Sequence, residues 1–230
     1  MKCIFLTETD QAEVSVRRFA YSERKGKCQA SGMGAHDASG AIGRRPVLPT
    51  DARGDNHPHD DARWPARCAC GYEFAPDDQW QCNPEVLYRR SDNGELVTLR
   101  NAPIGAMWFA DWLSDCPEYA GPDGNTLIVR LPGRHDWTVD GRASNCDSPC
   151  SQCSRPYHAH AGGRCNGAVG YRPDCSNSYR DARPHKCWVR HGAPPDVHVD
   201  KAGITCGAGA GSIAVAGYHG FLHRGCLTDC

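Results

Sequence analysis

A run of closely spaced cysteines in the second half of the chain constrains the fold more than any other feature. Six of the 15 cysteines fall in the 42 residues from 146 to 187, and three histidines lie among them. This density is above the roughly 8–10% at which cysteine content indicates a cross-linked scaffold rather than ordinary packing. Such a segment is held together by metal ions or by disulfides, and the choice between them decides what class of protein this is.

The sequence favours metal. The first apolar run covers only residues 3–6, which is shorter than the roughly 7–15 residues of a signal-peptide core, and acidic residues follow it. No stretch reaches the roughly 18 apolar residues of a membrane span. We therefore expect a reducing cytoplasm and no membrane partner, and there clustered thiols typically bind metal. The odd count of 15 cysteines excludes complete disulfide pairing within one chain. Disulfides remain an alternative if the protein reaches an oxidising environment.

Short strand patterns separated by Gly and Pro predict an α+β fold that is mostly β, with short antiparallel strands and hairpins. Residues 1–21 indicate a hairpin with a turn at 7–11, and the Asn93-Gly94 turn predicts a second hairpin over residues 86–100. The aromatic-rich segment 104–113 indicates a short helix. Further strands are expected at 126–131 and 136–139, which form a hairpin, and at 187–191, 197–200, 213–216 and 220–222.

We expect a single body that is interrupted by the cysteine-rich segment. Residues 1–145 form its β-rich N-terminal part, with a long loop at 24–62, where polar residues, Gly and Pro occur without periodicity. Residues 146–187 form an irregular zinc-binding insert, called here the insert. Residues 188–230 form a C-terminal β part that completes the body.

Within the insert, a CxxC turn points two sulfurs at one tetrahedral centre, the geometry that Zn²⁺ prefers. The expected ligands of this site are Cys150, Cys153, Cys165 and Cys175, with His158 or His160 as alternatives for the later cysteines. Cys146 and Cys187 bracket the insert and can form a second cross-link. Closing a loop of this length would remove considerable entropy from the unfolded chain.

A second zinc site is predicted around Cys68-Ala-Cys70-Gly71-Tyr72. Glycine after the second cysteine is typical of a zinc knuckle, in which backbone amides turn towards the sulfurs, although a knuckle normally has two residues between its cysteines. The remaining ligands are expected among His57, His59, Cys82 and the distant pair Cys146 and Cys187. The alternative is two half-buried thiols beside a strand, because a reduced cysteine often behaves as a small hydrophobe.

The insert region is also basic. Residues 142–190 carry eight basic and three acidic side chains, a net charge of +5 in a chain of net charge −1, with four aromatic side chains between them. Guanidinium groups suit phosphates, and aromatic rings stack on bases. We therefore expect a nucleic-acid-binding surface, and the alternative is a solvated basic loop on an acidic body. The arginines expected to form this surface are Arg155, Arg164, Arg172, Arg180 and Arg183.

Several strings occur together: His59-Asp-Asp-Ala-Arg-Trp-Pro, Pro103-Ile-Gly-Ala-Met-Trp108, His135-Asp-Trp-Thr-Val-Asp-Gly-Arg-Ala-Ser-Asn-Cys146, His185-Lys-Cys-Trp-Val-Arg-His-Gly192 and Tyr218-His-Gly-Phe-Leu222. In combination they resemble a family of small proteins, without an established function, that tailed bacteriophages encode. The resemblance covers roughly residues 57–225 and implies a viral gene product in the host bacterial cytoplasm. Relatives connect the equivalents of Cys146 and His185 by a much shorter segment. The resemblance thus implies that Cys68, Cys70, Cys146 and Cys187 belong to the common body and that the insert carries a separate site.

These observations predict a phage-encoded, zinc-stabilised binding protein without catalytic activity, whose partner is nucleic acid or a host protein. The first alternative is a virion component, such as a capsid-decorating or tail-associated protein that contacts other virion proteins. The second is a zinc-dependent hydrolase or nuclease. No HExxH or comparable spacing supports a catalytic zinc.

Overall fold

The computed structural model describes residues 1–21, 26–28, 34–49, 51, 61–116, 119–141, 187–200, 212–215 and 217–230. Most of the expected insert therefore lies outside the described residues. Within the described part the protein is mostly β, with short antiparallel sheets, as the sequence predicts. Helix in this part is limited to 3-10 turns at Leu99–Asn101, Asp111–Leu113 and Pro132–Arg134.

The described residues contain twelve strands. They are β1 (Ile4–Ala20), β2 (His36–Pro46), β3 (Gln79–Arg90), β4 (Leu96–Thr98), β5 (Ala106–Phe109), β6 (Leu127–Leu131), β7 (His135–Thr138), β8 (Val189–His191), β9 (His198–Asp200), β10 (Ile213–Val215), β11 (Tyr218–His223) and β12 (Cys226–Asp229). They divide between two compact units. Unit one comprises Met1–Leu6, Arg90–Asn93 and Ala102–Cys230, and unit two comprises Thr7–Arg89 and Gly94–Asn101.

Unit two is built around the greater part of β1. This strand pairs antiparallel with β2, from Gln11 opposite Pro46 to Ala20 opposite His36, and β3 lies beside it and pairs antiparallel with β4. Side chains on one face of β1 alternate into a core, whose buried members are Ala12, Val14, Val16, Ile42, Trp64 and Cys82. The expected hairpin at Asn93-Gly94 is confirmed by the pairing of β3 and β4.

Two expectations for unit two are wrong. β1 runs unbroken through residues 7–11, where a turn was expected. This segment contains no Gly, Pro or Asn, and the Thr9 hydroxyl donates a hydrogen bond of 2.6 Å to the Leu87 carbonyl. The strand β2 lies inside the expected loop 24–62. Apolar and polar residues do not alternate regularly in its sequence. Backbone pairing with β1 and burial of His36 and Ile42 therefore determine its conformation.

Unit one combines parallel and antiparallel pairing. The first residues of β1 pair parallel with β5, and β5, β6 and β7 follow as antiparallel neighbours, so the expected hairpin over residues 126–139 is confirmed. β8 and β9 form a hairpin, and β10, β11 and β12 form a three-stranded antiparallel sheet. The core of unit one includes Met107, Leu127, Val129, Leu131, Trp137, Cys187, Trp188 and Leu222.

The helix expected over residues 104–113 is a strand followed by a 3-10 turn. Ala106, Met107 and Trp108 are consecutive and almost fully buried. A run that is buried on both faces suits a strand inside a sheet, and in so short a segment periodicity does not separate it from a helix. In the part of the chain that the structure describes, no helix has both the length and the apolar character that a membrane crossing requires.

Candidate metal centre

A small hairpin in unit two presents two of the predicted ligands. The Cys68 amide donates to the Tyr72 carbonyl at 2.9 Å, and the Gly71 amide donates to the Cys68 carbonyl at 2.9 Å. The connection of three residues ends at Gly71, whose φ of +91° lies in the left-handed region. Three-residue hairpin loops typically place glycine at this position. The tight turn brings Cys68 and Cys70 to the same side although only one residue separates them.

The connection from β1 to β2 supplies the other two side chains of the candidate centre. Cys28 lies within this connection, where its amide donates to the Gly34 carbonyl at 3.2 Å. His36 is the first residue of β2 and is 5% exposed. Pairing of His36 with Ala20 at the end of β1 fixes the backbone from which its ring projects.

The four side chains meet at one point. Each of Cys28, His36, Cys68 and Cys70 offers one ligand atom, and these atoms all lie within 4.8 Å of one another. The sulfurs of Cys28 and Cys68 are 3.6 Å apart, and His36 Nδ1 is 3.1 Å from the Cys70 sulfur.

The sulfur–sulfur separation fits a tetrahedral metal, and the separation of 3.1 Å between His36 and Cys70 is a hydrogen-bond distance that would lengthen by about 0.5 Å around an ion. Bond lengths of Zn²⁺ place two sulfur ligands about 3.8 Å apart, and a sulfur and a nitrogen about 3.6 Å apart. A disulfide would need sulfurs at about 2.05 Å, so the 3.6 Å between Cys28 and Cys68 is the spacing of two ligands rather than of a bond. The cluster could therefore hold a metal ion.

Local backbone donors favour the thiolate form of Cys68. The amides of Cys70 and Asp37 donate hydrogen bonds to its sulfur and lower the pKa of this thiol from 9.0 to about 6. A thiolate is the form that binds metal. The turn that brings the two cysteines together thus also prepares one of them to act as a ligand.

Apolar and aromatic groups support the centre. The His36 ring stacks on Tyr72, with ring centroids 4.0 Å apart and planes inclined by 11°. The Tyr72 hydroxyl donates to Asp78 at 2.9 Å, and Asp78 also accepts from the Ala75 amide at 2.7 Å. Ala20, Cys28, Cys68 and Phe74 form a buried cluster. Three of the four ligands are therefore largely shielded from solvent, and Cys70 is the exposed one.

The structure brings Cys68 and Cys70 together as predicted, but their partners are Cys28 and His36. Cys82, an alternative partner, lies in the other buried cluster of unit two with Val14 and Trp64. Cys187 lies in the core of unit one. The remaining predicted ligands fall outside the described residues: His57, His59, Cys146, Cys150, Cys153, Cys165 and Cys175, with the alternatives His158 and His160. Arg155, Arg164, Arg172, Arg180 and Arg183 also lie outside them.

Sequence reasoning missed Cys28 and His36 because both fall in the segment that was expected to be a loop. The available signal was a cysteine followed eight residues later by a histidine, in a stretch with few apolar residues. That spacing matches no compact ligand pair by itself. It becomes informative only when β1 and β2 are known to pair, because their pairing places His36 beside the end of β1.

No protein-family model, curated protein or solved structure matches this chain. The resemblance to phage-encoded proteins therefore remains an expectation from the sequence. Three thiols and one imidazole can bind a soft or borderline cation, and four such ligands fill a tetrahedral coordination shell.

Proposed function

We propose that Cys28, His36, Cys68 and Cys70 hold one structural zinc ion and that this chain is a zinc-stabilised binding protein. The observation that carries the proposal is the convergence of four ligand atoms, within 4.8 Å of one another, from segments that are distant in the sequence. The resemblance to phage-encoded proteins would place its activity in a bacterial host.

Zinc is the metal that this donor set favours. Three cysteines and one histidine are a common structural zinc set. Calcium and magnesium prefer oxygen ligands, and none of the four donors is oxygen. Copper(I) also accepts thiolates, so elemental analysis of the purified protein decides between the two metals.

A structural role follows from the number of ligands. Catalytic zinc sites typically keep three protein ligands and leave one position for water or substrate. Here the four protein ligands would complete the shell. This arrangement favours a binding protein over the alternative of a zinc hydrolase or nuclease.

The zinc ion would join three parts of unit two. It links the connection that carries Cys28, the start of β2 at His36 and the hairpin of Cys68 and Cys70. Among the described residues, the apolar cluster at this place has only four buried members. Because a small core contributes little stability, a metal cross-link would hold this region together.

We propose nucleic acid as the partner, bound through the basic insert. Support comes from the net charge of +4 over residues 142–187 and the three tyrosines between its arginines. Arg190 and Trp188, which follow directly, are buried in unit one and do not contribute. Single-stranded nucleic acid suits this combination, since arginines contact phosphates and aromatic rings stack on bases. If the tests below exclude nucleic acid, the alternatives are a host protein as the partner or a role as a virion component.

Native mass spectrometry of protein purified without chelator tests the zinc centre. We expect Cys68→Ser to carry one zinc ion fewer than the wild type. Cys82→Ser, a matched change of a buried thiol in the same unit, should retain the full number. Equal zinc content in all three proteins would contradict the assignment. A thiol count in denatured protein tests the alternative. If few of the 15 thiols react, the cysteines form disulfides, and purified virions should then be searched for the protein.

Fluorescence anisotropy with a labelled single-stranded oligonucleotide tests the partner. Replacing Arg164, Arg172 and Arg180 with Gln should weaken binding and reduce the slope of log affinity against log salt by about 2, since each phosphate contact contributes about 0.7. The matched control replaces Arg44, Arg89 and Arg100, which are exposed outside the insert. An equal effect of both triple variants, or no binding at low salt, would contradict the proposal and direct the search to host and virion proteins.

A further inference from the structure

The β8–β9 hairpin in unit one carries two different faces. Arg190 and Val199 form a cross-strand pair, and both side chains are buried. His191 and His198 form the neighbouring cross-strand pair. Because side chains alternate along a strand, this histidine pair lies on the opposite face.

A carboxylate joins the two histidines on that face. Asp200 follows His198 by two residues and therefore projects to the same side. Its Oδ1 is 3.2 Å from His191 Nε2, and its Oδ2 is 3.8 Å from His198 Nε2. The exposed fractions of the three side chains are 50% for His191, 39% for His198 and 42% for Asp200, so solvent reaches all of them.

A third imidazole lies beside this group. His223 is on β11, and its ring centroid is 4.5 Å from that of His198. The rings of His191 and His198 are 6.2 Å apart, with the carboxylate of Asp200 within reach of both. The strands β8, β9 and β11 thus bring three imidazoles and one carboxylate together on a solvent-exposed surface.

The distances permit metal coordination once the side chains rotate. A cation bound at about 2.0–2.2 Å by an imidazole nitrogen and a carboxylate oxygen holds these atoms about 3.3–3.4 Å apart in tetrahedral geometry. The observed separations are 3.2 and 3.8 Å, and they run to different oxygens of Asp200. The three ligand atoms are not gathered within 4.8 Å of one another as those of the centre in unit two are, so the exposed imidazoles have to turn towards each other to share one ion.

We propose that His191, His198 and Asp200 form a surface site for a divalent transition cation such as Zn²⁺, Ni²⁺ or Co²⁺, with His223 as a fourth ligand. Imidazole and carboxylate ligands select these borderline cations. The site contains no cysteine and is independent of the thiolate centre in unit two. When only three protein ligands bind, the remaining position takes water or a donor from another molecule.

Cobalt(II) titration of the full-length protein tests the site, because cobalt reports its ligands. Binding to thiolates gives strong near-ultraviolet charge-transfer absorption, whereas binding to imidazole and carboxylate gives only weak visible bands. Protein that keeps only its tightly held zinc, after weakly bound metal has been removed by dialysis, should bind one further cobalt ion that shows only the weak bands. His191→Gln and Asp200→Asn should each weaken this binding at least about tenfold, since even outer-shell changes cost 10–100-fold. His135→Gln, which changes an exposed histidine elsewhere in unit one, should have no effect.

A second measurement covers the case in which a variant is poorly folded. In wild-type protein, paramagnetic cobalt should broaden the ring signals of His191, His198 and His223 before that of His135. Equal cobalt affinity in wild type, His191→Gln and Asp200→Asn would overturn the proposal, as would uniform broadening of all four rings. Absence of the thiolate bands when cobalt is added to metal-free protein would contradict the zinc centre of unit two and leave this site supported.

Discussion

Replacing Cys68 with Ser should remove most of the stability that metal gives to unit two. Cys68 is buried, its sulfur is 3.6 Å from that of Cys28, and it lies in the same apolar cluster. Serine keeps the size of the side chain but is a poor ligand for zinc. The variant should therefore lose the cross-link between the hairpin and the connection that carries Cys28.

The expected magnitude follows from the chain length that the metal spans. Cys28 and Cys68 are 40 residues apart in the sequence. The chain-entropy relation for a cross-link of this span gives about 4 kcal/mol at 25 °C. In a protein of this size 1 kcal/mol shifts Tm by roughly 2–4 °C, so we expect removal of the metal to lower Tm by roughly 8–16 °C.

Thermal unfolding followed by circular dichroism, with and without a zinc chelator, measures this effect. Chelator should lower Tm of the wild type and of Cys82→Ser by similar amounts. In Cys68→Ser the chelator should have a much smaller effect, because the ion at this centre is already absent. Any metal held elsewhere in the chain affects all three proteins alike and cancels in the comparison.

One outcome would contradict the assignment of the stabilising metal to Cys28, His36, Cys68 and Cys70. If chelator lowers Tm of Cys68→Ser as much as that of the wild type, the four-residue cluster does not hold the stabilising metal. Cys82→Ser controls for the cost of burying a hydroxyl, because both changes place a hydroxyl at a buried position.

Two further predictions concern the turn and the ion pairs. Gly71→Ala should cost about 1–2 kcal/mol of unfolding free energy in urea and weaken zinc retention, because φ at this position is +91°; an unchanged urea midpoint would show that the turn adapts. Asp140→Ala should cost about 1.5–3 kcal/mol by the same assay, since the buried Arg190 guanidinium loses one of its two carboxylate partners and keeps Asp123. Glu73→Ala breaks the exposed pair with Arg67 and should cost less than about 1 kcal/mol; equal losses for Asp140→Ala and Glu73→Ala would contradict this argument.

The sequence predicted those parts of the fold that depend on local signals. The Asn93-Gly94 pair marks its hairpin because Gly94, in the connection between β3 and β4, takes a φ of +75° that glycine adopts easily. The same reasoning failed for residues 7–11, where polar side chains suggested a turn. There the Thr9 hydroxyl bonds the Leu87 carbonyl, 78 residues away, and this contact has no local signature.

The metal centre likewise combines residues that a local sequence signal reveals with residues that only long-range contacts bring in. Cys68, Cys70 and Gly71 form one turn, so their role is visible in five consecutive residues. His36 reaches them because the pairing of β1 with β2 places it there, and Cys28 arrives by a connection without periodicity. Composition indicated that thiols and imidazoles would bind metal, but long-range strand pairing decides which of them meet.

The pairing of residues 1–3 with residues 225–227 has a consequence for synthesis on the ribosome. The Cys3 amide donates to the Gly225 carbonyl at 2.7 Å, and the Leu227 amide donates to the Met1 carbonyl at 2.8 Å. At a translation rate of roughly 5–20 residues per second, residues 1–3 wait roughly 10–45 s for these partners to be made. Unit two, whose segments are complete by residue 101, has all its residues long before that. A nascent chain arrested at about residue 150 should therefore contain a folded, metal-loaded unit two, while residues 1–3 of unit one still lack their partners and remain open to chaperones.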